Sequence, residues 1–129
     1  MIIKKIFLSL NIIFFLYFAI QLLIFTDEFA LANIGFFNHA VAGLAEIIGI
    51  IFLSFSVALL IIYFKGIESQ FPFFLTIFLI QFIIGLNFWR YVFTNSPGEI
   101  NLDTITINAI LFSIISLFSL YILIKSKYK

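Results

Sequence analysis

An all-α integral membrane protein, folded as an up-down-up-down four-helix bundle, is the class this sequence predicts, and three observations carry the prediction. Hydrophobic residues make up 64% of the chain and charged residues 10%, against ~45–50% and ~25% in soluble domains. Four apolar stretches are each about 20 residues or longer, enough to cross ~30 Å of hydrocarbon as helix. The connectors between them are short, which makes sequential helices antiparallel neighbours. A soluble fold of 129 residues has to cover its core with polar surface, and this chain has too few polar residues to do so. Its 20 Phe and mean hydropathy of +1.27 point the same way. The length predicts a single transmembrane domain over residues 1–129.

The first span runs from about Ile6 to Phe25, interrupted by Ser9, Asn11 and Gln21. The second covers about residues 40–64 and carries one charge, Glu46. The third covers about 71–93, with Pro72 in its first turn, where a missing N–H is tolerated. The fourth covers about 105–124. Ile and Phe favour strands, but uninterrupted runs of this length in lipid must be helical to satisfy their own backbone. The connectors read as interfacial: Thr26 to His39 with Asp27 and Glu28, Lys65 to Gln70, and Thr94 to Asp103 with the turn signal Asn95-Ser96-Pro97-Gly98.

Lys4 and Lys5, Lys65, and Lys125, Lys127 and Lys129 all fall on one side of a four-span layout, and Arg90 alone falls on the other. The positive-inside rule therefore puts both termini in the cytoplasm. Lys4-Lys5, an apolar stretch and Ala30-Leu31-Ala32 also fit a secretory signal with its cleavage site. The stretch is longer than the ~7–15 residues of a signal core, and Asp27-Glu28 occupies the cleavage region, so retention of the first span is expected.

Several functions are excluded or disfavoured. The chain has a net charge of +1 and no basic run, so nucleic acid is not an expected partner. Cysteine is absent, which removes disulfides, thiolate metal sites and CxxC redox chemistry. With a single His, no metal site is expected within the chain. No serine stands with His and an acid in a recognisable order, so no catalytic residue is nominated and an enzyme is the least supported class. No cofactor is identifiable from the residues.

Glu46 and Arg90 are the charges most clearly inside spans. Glu46 lies about six residues, roughly 9 Å, inside the outer end of span two, and Arg90 about three residues inside the outer end of span three. A charge at the bilayer centre costs ~2.5–3.5 kcal/mol on insertion scales, so the two are expected to face the bundle and interact, although Arg90 is close enough to the interface to snorkel. His39, Gly43 and Glu46 share a stripe of span two, as Asn87, Arg90 and Thr94 share one of span three. A polar cluster of His39, Glu46, Asn87 and Arg90, opening outward and joined by Asn108 of span four, is the expected ligand or proton site. The competing reading gives the same polar residues a purely structural role in fixing helix register.

Ala45-x-x-x-Gly49 is a small-xxx-small pattern expected to serve packing within the chain, with Gly85 serving the same end in span three. Ser113, Ser116 and Ser119 form a thin stripe expected to bond their own helix or a neighbour. Asp27-Glu28 reads as a solvated pair, because two oxygens fall well short of calcium's ~6–8 ligands. Trp89 and Tyr91 at one end, and Tyr63, Tyr121 and Tyr128 at the other, suit aromatic belts.

The stretch Gly43-Leu44-Ala45-Glu46-Ile47-Ile48-Gly49-Ile50-Ile51 resembles the region around the membrane Glu of DoxX-like proteins and of similar uncharacterised families of small four-helix membrane proteins from bacteria and archaea. The layout is similar as well: an acidic connector after span one, Glu in span two and a polar end to span three. Span one lacks the Gly and basic residues of that pattern, and Phe55 stands where it has a further Gly. The resemblance implies a place in a bacterial cytoplasmic (inner) membrane and a part in a quinone-linked redox complex, with Glu46 at a quinone or subunit contact. The expected function is thus a non-catalytic accessory or interaction subunit, whose partners are the lipid bilayer and other membrane subunits bearing any redox centres. The alternative is a binder or carrier of a quinone, lipid or proton-coupled solute, using the Glu46/Arg90 cluster.

Overall fold

A computed structural model of the chain describes residues 1–96 and 101–127, with the side chain of Lys127 excepted. Among the described residues there are five helices and no strand: α1 (Ile2–Leu23), α2 (Thr26–Asn33), α3 (His39–Lys65), α4 (Phe71–Thr94) and α5 (Leu102–Lys127). Four of them, all but α2, are long and apolar enough to cross a membrane, which makes the chain an integral membrane protein.

The long helices extend past their apolar stretches. α1 starts at Ile2, so Lys4 and Lys5 belong to its first turns, and α5 runs on through Lys125. Where a helix leaves hydrocarbon its backbone bonds still hold, and lysine is a good helix former. The ends have local causes. Asn38 Oδ1 accepts from the Val41 N–H at 2.9 Å, capping α3, and Gly66, at φ 112°, ends it in a conformation other residues resist. Asn101 Oδ1 accepts from the Asp103 N–H at 2.9 Å ahead of α5. Pro72 sits in the first turn of α4, as expected. The turn at Asn95-Ser96-Pro97-Gly98 lies partly outside the described residues, as does Tyr128 of the expected aromatic belt.

The acidic connector is not a plain loop, because its first half forms α2. Asp27 and Glu28 occupy the first turn, where their charge complements the helix dipole. Ala30 is fully buried, Phe29 meets Phe18 edge-on at 6.3 Å, and Gly35, at φ 89°, closes the helix.

Packing runs in the order α3–α1–α5–α4. α1 and α3 pack closely, α5 lies against both α1 and α4, and the Cα atoms of α3 and α4 nowhere come within 8 Å of one another. Small residues decide this. A Cβ on Gly49 would stand 2.7 Å from Leu23 Cγ, so α3 and α1 touch almost backbone to side-chain root. Gly85 brings α4 against Phe112 of α5 in the same way, at 3.4 Å. α3 and α4 have no such match and meet through the rings of Phe55 and Phe73, 6.1 Å apart. The expectation that spans two and three are close neighbours is corrected accordingly. Phe15, Phe18, Phe74 and Phe112 fill the centre. Phe14 and Phe18 reach Phe112 at 4.8 and 4.9 Å, while Phe15 reaches Phe52 at 5.2 Å, so α1 is the hub.

Candidate functional site

Hydrocarbon offers no hydrogen-bond partner, so an amide in the middle of a span must find one in the protein. Asn11 of α1, Gln81 of α4 and Ser119 of α5 meet this demand together, exposed by only 1%, 0% and 1%. Asn11 Nδ2 donates to the Phe7 carbonyl at 2.9 Å, which turns Asn11 Oδ1 into the bundle. That oxygen accepts from Gln81 Nε2 at 2.8 Å, which orients the second amide and presents Gln81 Oε1 to Ser119. Ser119 Oγ lies 2.5 Å from Gln81 Oε1 and 2.8 Å from Asn11 Oδ1. Its one proton serves one of these oxygens at a time, so the triad has two interchangeable bonding patterns. At the next residue along α1, Ser56 of α3 donates to the Ile12 carbonyl at 3.2 Å. All four long helices are thereby joined at a common depth. No member titrates, so the cluster cannot change charge, and its chemistry is that of a clamp.

The nominated charges lie elsewhere. Glu46 and Arg90 are both exposed on the bundle surface, and no ion pair joins them among the described residues. The geometry explains why. Phe55, which leans on α4, stands nine positions from Glu46, roughly two and a half turns, so Glu46 leaves α3 on the side away from α4. Arg90 lies five positions beyond Gly85, which packs on α5, roughly 140° round the helix from that contact. Its guanidinium rests instead over the Tyr91 ring, 5.0 Å from the centroid. His39 and Asn87 are exposed as well. The expected inward cluster of His39, Glu46, Asn87 and Arg90 is therefore not assembled within the chain.

Asn108 is buried, but toward α2: its Nδ2 donates to Asn33 Oδ1 at 2.6 Å, and Asn33 Nδ2 donates to the Phe29 carbonyl at 3.0 Å. Beside this bond a cavity of about 450 Å³ opens between Asn33–Phe36 and the end of α4, with Tyr91 and Thr94 in its wall. Trp89 is turned inward, donating from Nε1 to Ser113 Oγ at 2.8 Å. Ser113 in turn donates to the Ala109 carbonyl, and Ser116 to the Ser113 carbonyl, each at 2.7 Å. The Asp27 carboxyl is held below its ordinary value by a side-chain hydrogen bond with Glu28, then by the Glu28 N–H, against a small opposing effect of desolvation. Among the described residues no group of three His, Cys, Asp or Glu side chains is placed to hold a metal ion.

Reading the sequence for charge missed the triad, because its members are neutral and sit in three different spans. The signal was present in Asn11 and Gln81, each an amide near the middle of its helix. Compared with known proteins, the chain matches no protein-family model, no curated protein and no solved structure.

Proposed function

We propose that this chain is a non-catalytic accessory or interaction subunit of a membrane complex, meeting its partner through the outer faces of α3 and α4. The observation that carries the reading is Glu46: a carboxylate within a membrane-spanning helix, exposed to the surroundings, with no ion-pair partner among the described residues. Such a group is costly against lipid and is relieved by a hydrogen-bonding or basic side chain supplied from outside. α3 and α4 are also the two long helices least covered by the rest of the chain. In their most apolar windows 28% and 22% of residues are buried, against 39% in α1 and 44% in α5. Both intramembrane charges therefore lie on the two helices with most surface to offer. Glu46 and Arg90 are both exposed, and Arg90 rests over the Tyr91 ring, which favours a subunit over a binder or carrier built on that pair.

The orientation that goes with this reading is up-down-up-down with both termini in the cytoplasm of a bacterial inner membrane. Lys4, Lys5, Lys65 and Lys125 border one cavity at a single end of the bundle, as the positive-inside rule asks. The resemblance to DoxX-like proteins extends the proposal to a quinone-linked redox complex, whose redox centres the partner would carry.

A photo-cross-linking residue at Ile47, next to Glu46 on the exposed face, tests the proposal in native membranes. A discrete adduct with one other membrane protein is expected, with a yield that falls in Glu46→Gln. Adducts with lipid alone, unchanged by that substitution, would refute the subunit reading.

A further inference from the structure

The structure assigns a second site, at the end of the bundle opposite Arg90, whose chemistry is that of phosphate. A cavity of about 680 Å³ opens there between the start of α1 and the ends of α3 and α5. Four ammonium-bearing side chains border it: Lys4 and Lys5 from α1, Lys65 from α3 and Lys125 from α5. The lining also includes one carboxylate, Glu68, so the four ammonium groups outnumber the acidic side chains at the opening. Lys5 is steadied by the Tyr63 ring, 5.5 Å from its centroid, and Lys125 by the Tyr121 ring at 5.9 Å. Leu8 and Ile62, both buried, form its apolar floor.

Four ammonium groups against the single carboxylate of Glu68 leave the opening net positive and suited to a further anion, and lysine is a point-charge binder of phosphate. The apolar floor and the place of the cavity at the ends of membrane-spanning helices decide the source. We propose that the site holds the headgroup phosphate of an anionic phospholipid, with the start of an acyl chain against Leu8 and Ile62. Basic pockets between helices at the cytoplasmic face take such headgroups for the same physical reasons. A bare helix-end charge explains Lys65 and Lys125 singly, at the ends of α3 and α5, but not why α1 brings Lys4 and Lys5 to the same opening. The inference stands apart from the subunit reading, which is carried by Glu46 and the outer faces of α3 and α4; the lysines bear there only on orientation.

Native mass spectrometry of the detergent-purified chain, titrated separately with phosphatidylglycerol and phosphatidylcholine, tests it. Phosphatidylglycerol should be retained preferentially as a single bound lipid. Each lysine near such a surface contributes about fivefold in affinity, so Lys4→Gln with Lys65→Gln should weaken phosphatidylglycerol binding about twenty-five-fold. Arg90→Gln, which removes a positive charge at the other end, should leave it unchanged. Equal binding of the two lipids, or equal losses from the lysine and arginine variants, would overturn the site. If inorganic phosphate bound the delipidated chain as tightly as the lipid does, the lipid assignment would be overturned in favour of a soluble phosphate compound.

Discussion

The Asn11–Gln81–Ser119 triad and the Glu46/Arg90 pair are both polar groups placed in apolar spans, and the fold treats them in opposite ways. The triad is neutral, drawn to the centre and bonded entirely within the chain. The charged residues are turned outward, one against its own neighbouring ring and the other with no ion-pair partner among the described residues. A buried amide can be satisfied by two or three well-placed neighbours, whereas a buried charge also needs a counter-charge in good geometry. The lesson is that polar groups satisfied inside report on how this chain holds itself together, while those left outward report on what it meets.

The largest expected effect sharpens the first half of that comparison. Gln81→Ala removes a fully buried side chain and two of the triad's bonds, and is expected to cost ~2–4 kcal/mol in unfolding by SDS titration in mixed micelles. Replacing all three members by apolar residues of similar volume should cost far less, since no orphaned polar group would remain. A triple variant as unstable as Gln81→Ala would show that shape, not hydrogen bonding, is what the triad supplies.

Trp89→Phe is next, with an expected cost of ~1 kcal/mol for the lost bond to Ser113 and no change in oligomeric state. A substitution without effect would return Trp89 to the role of an interfacial anchor.

Breaking the second half of the comparison takes a double-mutant cycle. Glu46→Gln and Arg90→Gln should change the stability of the isolated chain little, and their coupling should stay within the ~0.3–0.5 kcal/mol scatter of independent sites. Coupling above ~1 kcal/mol would restore the inward pair that the sequence suggests.

The smallest effect concerns pH. The Asp27 carboxyl is lowered by Glu28, so its contribution to stability is present above the ordinary carboxylate value and is lost as pH falls through the lowered one. Asp27→Asn should flatten this acid-side slope slightly, and NMR titration of the Asp27 carboxyl should place its midpoint below that of a free aspartate. A midpoint at or above the free value would show that the Glu28 contact does not form.

The four long helices were legible because their signal is additive along the chain: each needs only a long apolar run, and lipid leaves the backbone no other choice. Pro72 was legible as a first-turn residue of α4, whereas the caps of α3 at Asn38 and Gly66 emerged only in the structure. α2 was overlooked because an eight-residue helix carries little periodic signal, and its stability comes from Ala30 and Phe29 packing on the bundle. Ala45 and Gly49 were readable as a close-approach face, though not which helix would approach.

Composition and span length thus determined by themselves that this is a four-span integral membrane protein without cysteine chemistry, since these follow from sums over residues. Tertiary structure alone decided that α1 is the hub, that α3 and α4 stand apart, that Asn11, Gln81 and Ser119 meet, and that Glu46 faces out. Each of those depends on the rotation of one helix about its axis relative to another. That rotation is set by a few contacts, such as Gly49 on Leu23 and Gly85 on Phe112, between residues far apart in the chain.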